Sequence, residues 1–326
     1  MSVDEQLEQP CVLNRECAVA AEHLTVATEV TSTGGVKAEP RRRERRRLWQ
    51  DYALAAGSLL GERFAGIKDL HFGLWQTGDE ITLSNLSIAQ QRYSEFVIGS
   101  LPVESTTILD VGCGNGRFAD RLLMAGKCVT CVSPNLLLNR AARELLGNRA
   151  VVIDSRFEQM QTANLAFDVI LFVESFQYVD MEGAMRKAVS LMRPAGRIVI
   201  CDFFRRSEMG VSPISGGHAW EDFESRLREN GLFVSKSVDI THNVAPTFDL
   251  VNDVFQGIVA PLYAEAITTL EQAHPVLSKI ARWTLRRKLQ KFQHKYLGGQ
   301  RTGEAFASFK TYRLVELRHR FTRHDN

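Results

Sequence analysis

The sequence predicts an α/β protein built around a doubly wound, mainly parallel β-sheet, and two observations support this fold class. First, apolar runs typical of strands buried on both faces alternate with segments that have the periodicity of amphipathic helices. Second, the run Ile108–Val111 leads into the glycine turn Gly112-Cys-Gly-Asn-Gly116, which suits the passage from a buried strand to a helix. Sheets of this kind bind ligands at the carboxyl ends of their strands.

The alternation continues along most of the chain and predicts seven strands. After the run at Ile108, five strands precede a largely helical region and one strand follows it. These six later strands are Cys128–Val132, Ala150–Ile153, Phe167–Val173, Arg197–Phe203, Leu232–Ile240 and Ala305–Leu317. The helices predicted between and before them are Ser84–Gly99, Arg117–Ala125, Leu136–Leu146, Gly183–Met192 and Ala219–Glu229.

Composition and periodicity divide the chain into five segments. Residues 1–40 mix charged residues with Ser, Thr and Gly and lack periodicity, so we predict a disordered tail. The run Arg41–Arg47 predicts the solvated start of a helix, with contact to nucleic acid or anionic lipid as the alternative. The remaining segments are N-terminal helices and a lead-in segment over 41–100, a ligand-binding core over 101–245, a helical insertion over 246–303, and the last strand and a tail over 304–326.

Composition also excludes several functional classes. The chain has 326 residues, 44% of them apolar, and a net charge of +2, which excludes whole-chain electrostatic binding of nucleic acid. No apolar run reaches the roughly 18 residues of a membrane span, and the N-terminus lacks a signal-peptide pattern. Six cysteines without framework spacing predict a reducing, cytoplasmic location. Cys128-x-x-Cys131 falls in a predicted strand, where positions i and i+3 point to opposite faces, so we predict no metal site.

The glycine turn carries the clearest ligand chemistry. Gly112, Gly114 and Gly116 allow the main chain to lie against a ligand, and the helix that begins at Arg117 presents unpaired amides to the same ligand. Asp110, two residues before the first glycine, distinguishes this turn from the dinucleotide motif Gly-x-Gly-x-x-Gly. Its carboxylate would repel a pyrophosphate but accepts hydrogen bonds from an ammonium group. The predicted ligand is therefore zwitterionic.

Residues 108–118 resemble motif I of the class I S-adenosylmethionine-dependent methyltransferases. Phe167–Tyr178 is similar to the family's fourth strand, whose end faces the transferred methyl group, and Leu191–Asp202 is similar to its fifth-strand motif. His71-Phe-Gly73-Leu-Trp75, followed by Ala89-Gln90, resembles a segment of sterol and tocopherol C-methyltransferases and of cyclopropane-forming lipid enzymes. Together the resemblance covers roughly residues 68–317.

This resemblance implies a seven-stranded Rossmann-like sheet with an antiparallel last strand, and S-adenosyl-L-methionine as the cofactor. It also implies that residues 246–303 form a lid over the carboxyl ends of the strands. The cofactor site is expected in motif I, in the lead-in segment and at the ends of the neighbouring strands. Its expected residues are Asp110, Gly112, Cys113, Gly114, Asn115, Gly116, Ser133, Pro134, Arg156, Phe157, Glu174 and Trp75.

Two turns of the expected cofactor site depart from the family pattern. The second strand ends in Ser133-Pro134-Asn135, where the family usually has an acid that accepts both ribose hydroxyls. A neutral acceptor binds more weakly by roughly 1 kcal/mol, which predicts modest cofactor affinity unless Asn115 or Gln177 contributes. The turn after the third strand reads Ser155–Glu158 instead of an Asp-Ala pair. Phe157 in this turn either packs on the purine or belongs to the core.

Methyl transfer from a sulfonium depends mainly on positioning of the reactants. Glu174 follows a buried strand, so desolvation would raise its pKa and suit it to act as a general base, with holding a substrate or a helix amide as the alternative. His71 and His242 are the other candidate bases, each with a structural role as the alternative. Aromatic faces that could stabilise the sulfonium are Trp75, Phe72, Phe176 and Tyr178. The substrate site is expected to contain Phe72, Phe176, Gln177, Tyr178, Arg286 and Arg287.

The predicted lid is strongly basic. No Asp or Glu occurs from Gln272 to Gly303, and positions 283, 285, 289, 292, 296 and 297 are apolar, so the helix is predicted to bury one face and present cations on another. Such a lid suits an amphipathic substrate with an anionic group, such as a phosphorylated or carboxylated lipid or isoprenoid. A solvated face that meets an acidic partner is the alternative. The cations of this segment are Lys279, Arg282, Arg286, Arg287, Lys288, Lys291, Lys295 and Arg301.

These features favour a small-molecule methyltransferase of specialised metabolism, with carbon slightly favoured over oxygen or nitrogen as the acceptor. Carbon methylation of an alkene creates a carbocation that needs aromatic faces and a base, whereas oxygen methylation needs only a base. An RNA methyltransferase that uses Arg41–Arg47 and the basic lid against phosphates is a second hypothesis. A non-catalytic subunit with this fold is a third. Homo-oligomer formation stays open.

Overall fold

The computed structural model describes residues 41–161 and 167–320, so the predicted disordered tail of residues 1–40 lies outside the described residues. Its centre is a seven-stranded sheet in the order β3-β2-β1-β4-β5-β7-β6. The strands are Thr107–Val111 (β1), Cys128–Ser133 (β2), Val151–Asp154 (β3), Phe167–Val173 (β4), Met192–Arg205 (β5), Leu232–Asp239 (β6) and Lys310–His319 (β7).

Strand pairing confirms the predicted doubly wound architecture. β1 pairs in parallel with β2 and β4, and the parallel ladder continues to β3 on one side and β5 on the other. β7 is antiparallel to both β5 and β6, as the resemblance implied. The register places Asp110 between Cys131 and Leu171, so the ends of β1, β2 and β4 meet at one edge of the sheet.

Helices cover both faces of this sheet. The side chains of β1 alternate between two apolar clusters, because Ile108 packs with one cluster and Leu109 with the other. Helices α2 to α4 contribute to the first cluster, and α5 and α6 contribute to the second. The first six helices are Arg41–Ala65 (α1), Leu83–Gly99 (α2), Arg117–Met124 (α3), Leu136–Leu146 (α4), Met181–Leu191 (α5) and Trp220–Glu229 (α6).

The predicted helical insertion between the last two strands is confirmed. It contains two π-helical turns, at Phe255–Val259 and Gln293–Leu297, and its second half folds back on its first as a hairpin whose seam includes Tyr263 and Phe292, with ring centroids 5.8 Å apart. None of the helices in the described residues is both long and apolar enough to cross a membrane. The helices of this region are Thr241–Val244 (α7), Pro246–Val254 (α8), Ala260–Ala273 (α9), Pro275–Phe292 (α10) and Gly303–Phe309 (α11).

Two sequence predictions about this region are corrected. Ala305–Leu317 was expected to be one strand, but its first residues belong to α11, because Thr302 caps that helix and accepts a hydrogen bond from Ala305 N at 3.1 Å. The buried Phe306 then stacks on Phe248 at 4.3 Å, which fixes the helix. Trp283 and Leu285 were expected on the buried face of the basic helix, yet both are exposed, because α10 packs mainly against the single helix α9.

The ends of two other elements also differ from the prediction. β5 was expected over Arg197–Phe203 and begins five residues earlier, because Met192 pairs with Phe167 ahead of an irregularity in the ladder. α5 begins at Met181 instead of Gly183, since Asp180 caps it by accepting a hydrogen bond from Gly183 N at 2.9 Å.

Gly116→Ala tests how closely the glycine turn packs. Gly116 has φ +84°, and a Cβ there would lie 2.9 Å from Ala142 Cα of α4. Gly126→Ala is the matched control, because Gly126 has φ +77° with no atom within 4 Å of its Cβ position. Both variants carry the left-handed penalty of roughly 1–2 kcal/mol, but Gly116→Ala adds a steric conflict of about 1–3 kcal/mol. Urea denaturation measures the two free energies of unfolding; equal losses would contradict the packing described.

Candidate active site

The site begins at Asp110, a buried carboxyl near the end of β1. Its side chain is 2% exposed, and its Oδ2 atom has no hydrogen-bond partner among the described residues. Burial raises the pKa of Asp110 to about 7. An unpaired buried carboxylate is costly, and a cationic ligand group would remove that cost. The carboxyl is therefore suited to an ammonium group.

The glycine turn lies between the end of β4 and the lead-in segment, which comprises residues 66–82 between α1 and α2. Gly112 has φ +83°, and a Cβ there would lie 2.4 Å from Ser175 Cβ, so only glycine fits. Ser175 in turn donates a hydrogen bond to Val111 O. A Cβ at Gly114 would approach Leu70 of the lead-in segment at 3.1 Å. The Cys113 side chain is buried in the core, so this residue presents only its backbone to a ligand.

Asn115 holds the lead-in segment instead of extending into the site. Its Nδ2 atom donates to Lys68 O at 2.9 Å, and its Oδ1 atom accepts from Arg117 N at 3.3 Å. Arg117 also forms an ion pair with Glu62 of α1 at 3.0 Å. The side chain that was expected to help bind ribose is thus engaged in joining three segments of the protein.

At the end of β2 the polar side chains form hydrogen bonds with backbone atoms of the same turn. Ser133 Oγ accepts from Asn135 N at 3.2 Å, and Asn135 Oδ1 caps α4 by accepting from Leu138 N at 3.1 Å. Pro134 between them is exposed. Asn139 donates to Ser133 O at 2.8 Å. Ser133 is buried, and no described residue accepts a hydrogen bond from its hydroxyl, whose oxygen accepts from Asn135 N.

Asp154 is a carboxylate that the sequence reasoning overlooked. It ends β3 directly opposite Ser133, accepts from Asn139 Nδ2 at 2.7 Å and forms an ion pair with Arg143 at 2.8 Å. The signal in the sequence was a single acid that follows the apolar run at 151–153. Asp154 therefore supplies an acid one strand away from the position where the family usually has one.

The turn after β3 corrects one expected cofactor contact. The Phe157 ring is buried in the core and meets Phe172 edge-on at 5.4 Å, so its faces are not available to a purine. Arg156, just before it, is half-buried.

Glu174 occupies the end of β4 in a strained conformation. Its φ is +53°, the only positive value for a residue other than glycine in the described chain. Its Oε1 atom accepts from Phe72 N at 2.6 Å and from Tyr312 OH at 2.9 Å. Burial, with a smaller effect from the nearby Asp202, raises the pKa of Glu174 to about 8. Strain of this kind persists only where the surroundings hold a residue in place, and it clusters at functional sites.

Two buried tyrosines support Glu174, and sequence reasoning missed both. Tyr93 OH lies 2.7 Å from Tyr312 OH and is the donor to it, because Tyr312 donates its own hydrogen to Glu174; Cys201 O lies 3.4 Å from Tyr93 OH. Burial raises the pKa of both phenols, so they stay protonated and act as donors. Both tyrosines lie in segments with an apolar pattern, so the sequence gives no sign of their hydrogen bonds.

Asp202, near the carboxyl end of β5, is a second buried acid near Glu174. Its Oδ2 atom accepts from Gln177 N at 3.0 Å, and its Oδ1 atom accepts from Gln177 Nε2 at 3.3 Å. Burial raises the pKa of Asp202 to about 7. Gln177, an expected substrate residue, therefore uses its amide to hold this acid.

The two candidate histidines have different surroundings. His71 is buried and stacks on Tyr93 at 4.6 Å, with Nδ1 2.9 Å from Phe72 O and Nε2 3.0 Å from Ser94 Oγ. Burial lowers the pKa of His71, which favours the neutral imidazole, and both ring nitrogens have protein partners, so the surroundings favour the structural role. His242 is exposed on α7 and lines a cavity of about 410 Å³ with Asp249 and Glu304.

The aromatic candidates are corrected in part. Trp75 is buried and donates from Nε1 to Thr247 Oγ1 at 2.9 Å, and Phe176 is buried against Phe172, so neither ring faces a ligand. Phe72 is half-buried, with its backbone amide on Glu174. Tyr178 is 78% exposed.

The remaining expected substrate residues lie on the helical hairpin. Arg286 and Arg287 are both exposed on α10. Among the described residues, no group of three or more His, Cys, Asp or Glu side chains is arranged to hold a metal ion.

Comparison with known proteins identifies the family. Residues 109–200 match a family model described as a methyltransferase domain. An uncharacterised methyltransferase of Geobacillus thermodenitrificans is 31% identical over 150 residues, which make up 43% of this chain and 70% of that protein. The 27-O-demethylrifamycin SV methyltransferase of Amycolatopsis mediterranei is 24% identical over 212 residues, 59% of this chain and 76% of that protein.

A solved structure shows the same fold. The crystal structure of geranyl diphosphate C-methyltransferase from Streptomyces coelicolor A3(2), in complex with Mg²⁺, geranyl diphosphate and S-adenosyl-L-homocysteine, matches 87% of this chain and 100% of that chain. The TM-score is 0.60 at 17% sequence identity. With the glycine turn and the strand order, these findings show that the chain belongs to the class I S-adenosylmethionine-dependent methyltransferases.

S-adenosylmethionine, the cofactor of this family, fits the residues present. The unpaired Asp110 Oδ2 suits its ammonium group, and the glycine turn offers main chain that no Cβ covers. We propose that Ser133 and Asp154 meet its nucleoside and that Glu174 lies near its sulfur. In place of a ring contact, the backbone at Cys113, Asn115 and Arg156 is proposed to line the same site.

The pKa of Asp110 predicts how cofactor affinity depends on pH. Because that pKa is raised to about 7, protons compete with an ammonium group below pH 7 and not above it. S-adenosylhomocysteine should therefore bind about tenfold more weakly for each pH unit below 7. Asp110→Asn should weaken binding by roughly 30- to 100-fold and remove this dependence.

Calorimetry between pH 5.5 and 8.5 measures both effects. Glu144→Gln, at an exposed carboxyl on α4, is the control and should behave like the parent chain. Tight, pH-dependent binding by Asp110→Asn would show that the ammonium contact has been assigned to the wrong group.

Proposed function

We propose that this methyltransferase methylates a carbon atom of a small, amphipathic, isoprenoid-like metabolite with an anionic group, and that Glu174 is its general base. The observation that carries the proposal is the environment of Glu174, a strained carboxyl at the end of β4 with a pKa of about 8. The cofactor, when bound, supplies a methyl group on a positively charged sulfur.

Glu174 is arranged to move one proton. Phe72 N and Tyr312 OH both bond to Oε1, which leaves Oε2 for a substrate. When an alkene carbon accepts a methyl group, the neighbouring carbon becomes cationic, and loss of a proton restores the double bond. Glu174 Oε2 accepts that proton, and a carboxyl with a pKa near the working pH is well matched to this task.

The surroundings of Glu174 support an apolar substrate with an anionic end. The half-buried Phe72 ring packs near Phe248 and Tyr312, at 4.9 Å and 6.0 Å between centroids. Tyr178, exposed beyond the end of β4, offers a second ring. Arg286 and Arg287 on the lid would bind the anionic group. The similar C-methyltransferase was crystallised with geranyl diphosphate, which makes this compound the first substrate to test.

Oxygen methylation is the second candidate function, and one structural observation favours it. Because the Trp75 and Phe176 rings are buried, fewer aromatic faces than expected remain to shelter a carbocation. A hydroxyl group would need only Glu174 to take its proton. The name of the Amycolatopsis relative, 27-O-demethylrifamycin SV methyltransferase, indicates methylation of an oxygen atom. Incubation with geranyl diphosphate and with a catechol, followed by NMR of the methylated product, distinguishes the two acceptors.

Glu174→Gln tests the base directly. The variant keeps the size of the side chain but cannot accept a proton, so kcat should fall by about 10²- to 10⁴-fold. The Kd for S-adenosylhomocysteine should change by less than about threefold, because that ligand lacks the positive sulfur. Glu95→Gln, at an exposed carboxyl on α2, is the control. Parent-like turnover of an accepted substrate by Glu174→Gln would remove Glu174 from the chemistry.

Tyr312→Phe tests the positioning of Glu174. The Tyr312 hydrogen bond lowers the Glu174 pKa, so its loss should raise that pKa further. Since the base acts as a carboxylate, the rate rises with pH through this pKa, and the rising limb should move to higher pH by about one unit.

The rate of Tyr312→Phe at pH 9 should stay within about fivefold of the parent rate. Tyr93→Phe removes the more distant hydroxyl and should shift the limb less. A uniform loss of rate at every pH would indicate a structural role for Tyr312 instead.

A further inference from the structure

Helix α10 of the hairpin is apolar on two opposite faces. One face forms the seam with α9, where Phe292 contacts Tyr263. The other face carries Val276, Ile280 and Trp283, which are 70%, 54% and 80% exposed. Their spacing of four and three residues places them on one stripe. Single exposed apolar residues are common on protein surfaces, whereas a stripe of three that ends in tryptophan indicates a binding surface.

Cations surround this stripe. Lys279 and Arg287 are exposed on the same side of the helix, and Lys291 follows one turn later. Between Gln272 and Gly303 the chain has eight Lys and Arg residues and no Asp or Glu. Arg282 pairs with Glu271 of α9, whereas Lys279, Arg287 and Lys291 are exposed. The surface therefore combines apolar side chains with a strongly positive rim.

We propose that this stripe and its rim, the α10 outer face, bind the surface of an anionic lipid bilayer. A helix that lies in the bilayer interface needs Trp and aliphatic residues on one side and Lys or Arg beside them. The long stems of Lys and Arg let their charges reach lipid phosphates while the apolar residues enter the acyl boundary. No helix of the described residues spans a membrane, so the binding is peripheral.

The charges also argue against other occupants. A second copy of the chain would bring the same cations against this face, and like charges opposed in an interface are repulsive. A nucleic acid would use the cations but gives no reason for the exposed Val276 and Ile280. An anionic bilayer satisfies both the charged and the apolar parts of the α10 outer face.

Vesicle flotation with the full chain tests the proposal. Vesicles of phosphatidylcholine with about 30% phosphatidylserine should bind the protein, whereas pure phosphatidylcholine vesicles should bind at least tenfold less. About 0.5 M salt should weaken binding, because it screens the cations. Trp283→Ser and Ile280→Ser should each lower the partition coefficient by roughly three- to tenfold. Val211→Ser, at a residue 97% exposed outside the hairpin, is the matched control and should bind like the parent.

Several outcomes would overturn the proposal. Absence of binding to anionic vesicles at low salt would do so, as would equal losses in Ile280→Ser and Val211→Ser. Sedimentation velocity distinguishes self-association, since a dimer that dissociates in Trp283→Ser would make the α10 outer face a protein interface. Thermal unfolding of each variant, expected to match the parent at these exposed positions, shows that a lost interaction does not arise from misfolding.

Discussion

A single carboxylate oxygen joins the parts of this protein that must come together for chemistry. Glu174 Oε1 accepts hydrogen bonds from the lead-in segment through Phe72 N and from β7 through Tyr312 OH, while Glu174 itself directly follows β4. These elements are far apart in the sequence, and the left-handed backbone at Glu174 is stable only because they hold it. The position of the lead-in segment over the glycine turn follows from the same interactions, together with the bond from Asn115 to Lys68.

Buried acids give the site its electrostatic character. Asp110, Glu174 and Asp202 lie near the carboxyl ends of β1, β4 and β5, and burial raises the pKa of each. Without a ligand, the raised pKa values favour the protonated form of these acids. A cationic cofactor favours the carboxylates, so binding and proton release are coupled. The three acids can therefore supply negative charge to a positively charged ligand. Without that ligand, the folded protein is less stable above the raised pKa values, because the buried acids must then be ionised.

The sequence predicted the features that depend on local pattern. The succession of strands and helices could be inferred from apolar runs, and the antiparallel last strand from the family resemblance. The glycine turn located Asp110, because the backbone geometry of that turn admits few residues other than glycine. Side-chain direction at strand ends was harder to predict. Trp75, Phe157 and Phe176 each stand beside the expected site in sequence, yet their rings turn into the core. The sequence pattern does not distinguish an aromatic ring that faces the site at the sheet edge from one that packs in the core.

The other residues that the sequence did not predict are placed by contacts between segments that lie far apart in the chain. Tyr93 and Tyr312 meet each other from α2 and β7, and nothing in either segment indicates a shared hydrogen bond. Asp154 follows a short apolar run and carries no motif of its own, and only the register of β3 with β2 places it opposite Ser133. The sequence shows that the outer stripe of α10 is apolar. Only the structure, in which Trp283 is exposed, shows that these residues do not pack in the core.

The most direct test of the account is a count of protons released on ligand binding, by calorimetry at pH 7.5 in buffers of different ionisation enthalpy. If Glu174 lies beside the positive sulfur, S-adenosylmethionine should release more protons than S-adenosylhomocysteine, and Glu174→Gln should abolish the difference. Equal proton release by the two ligands in the parent protein would contradict the placement of Glu174 at the reacting centre.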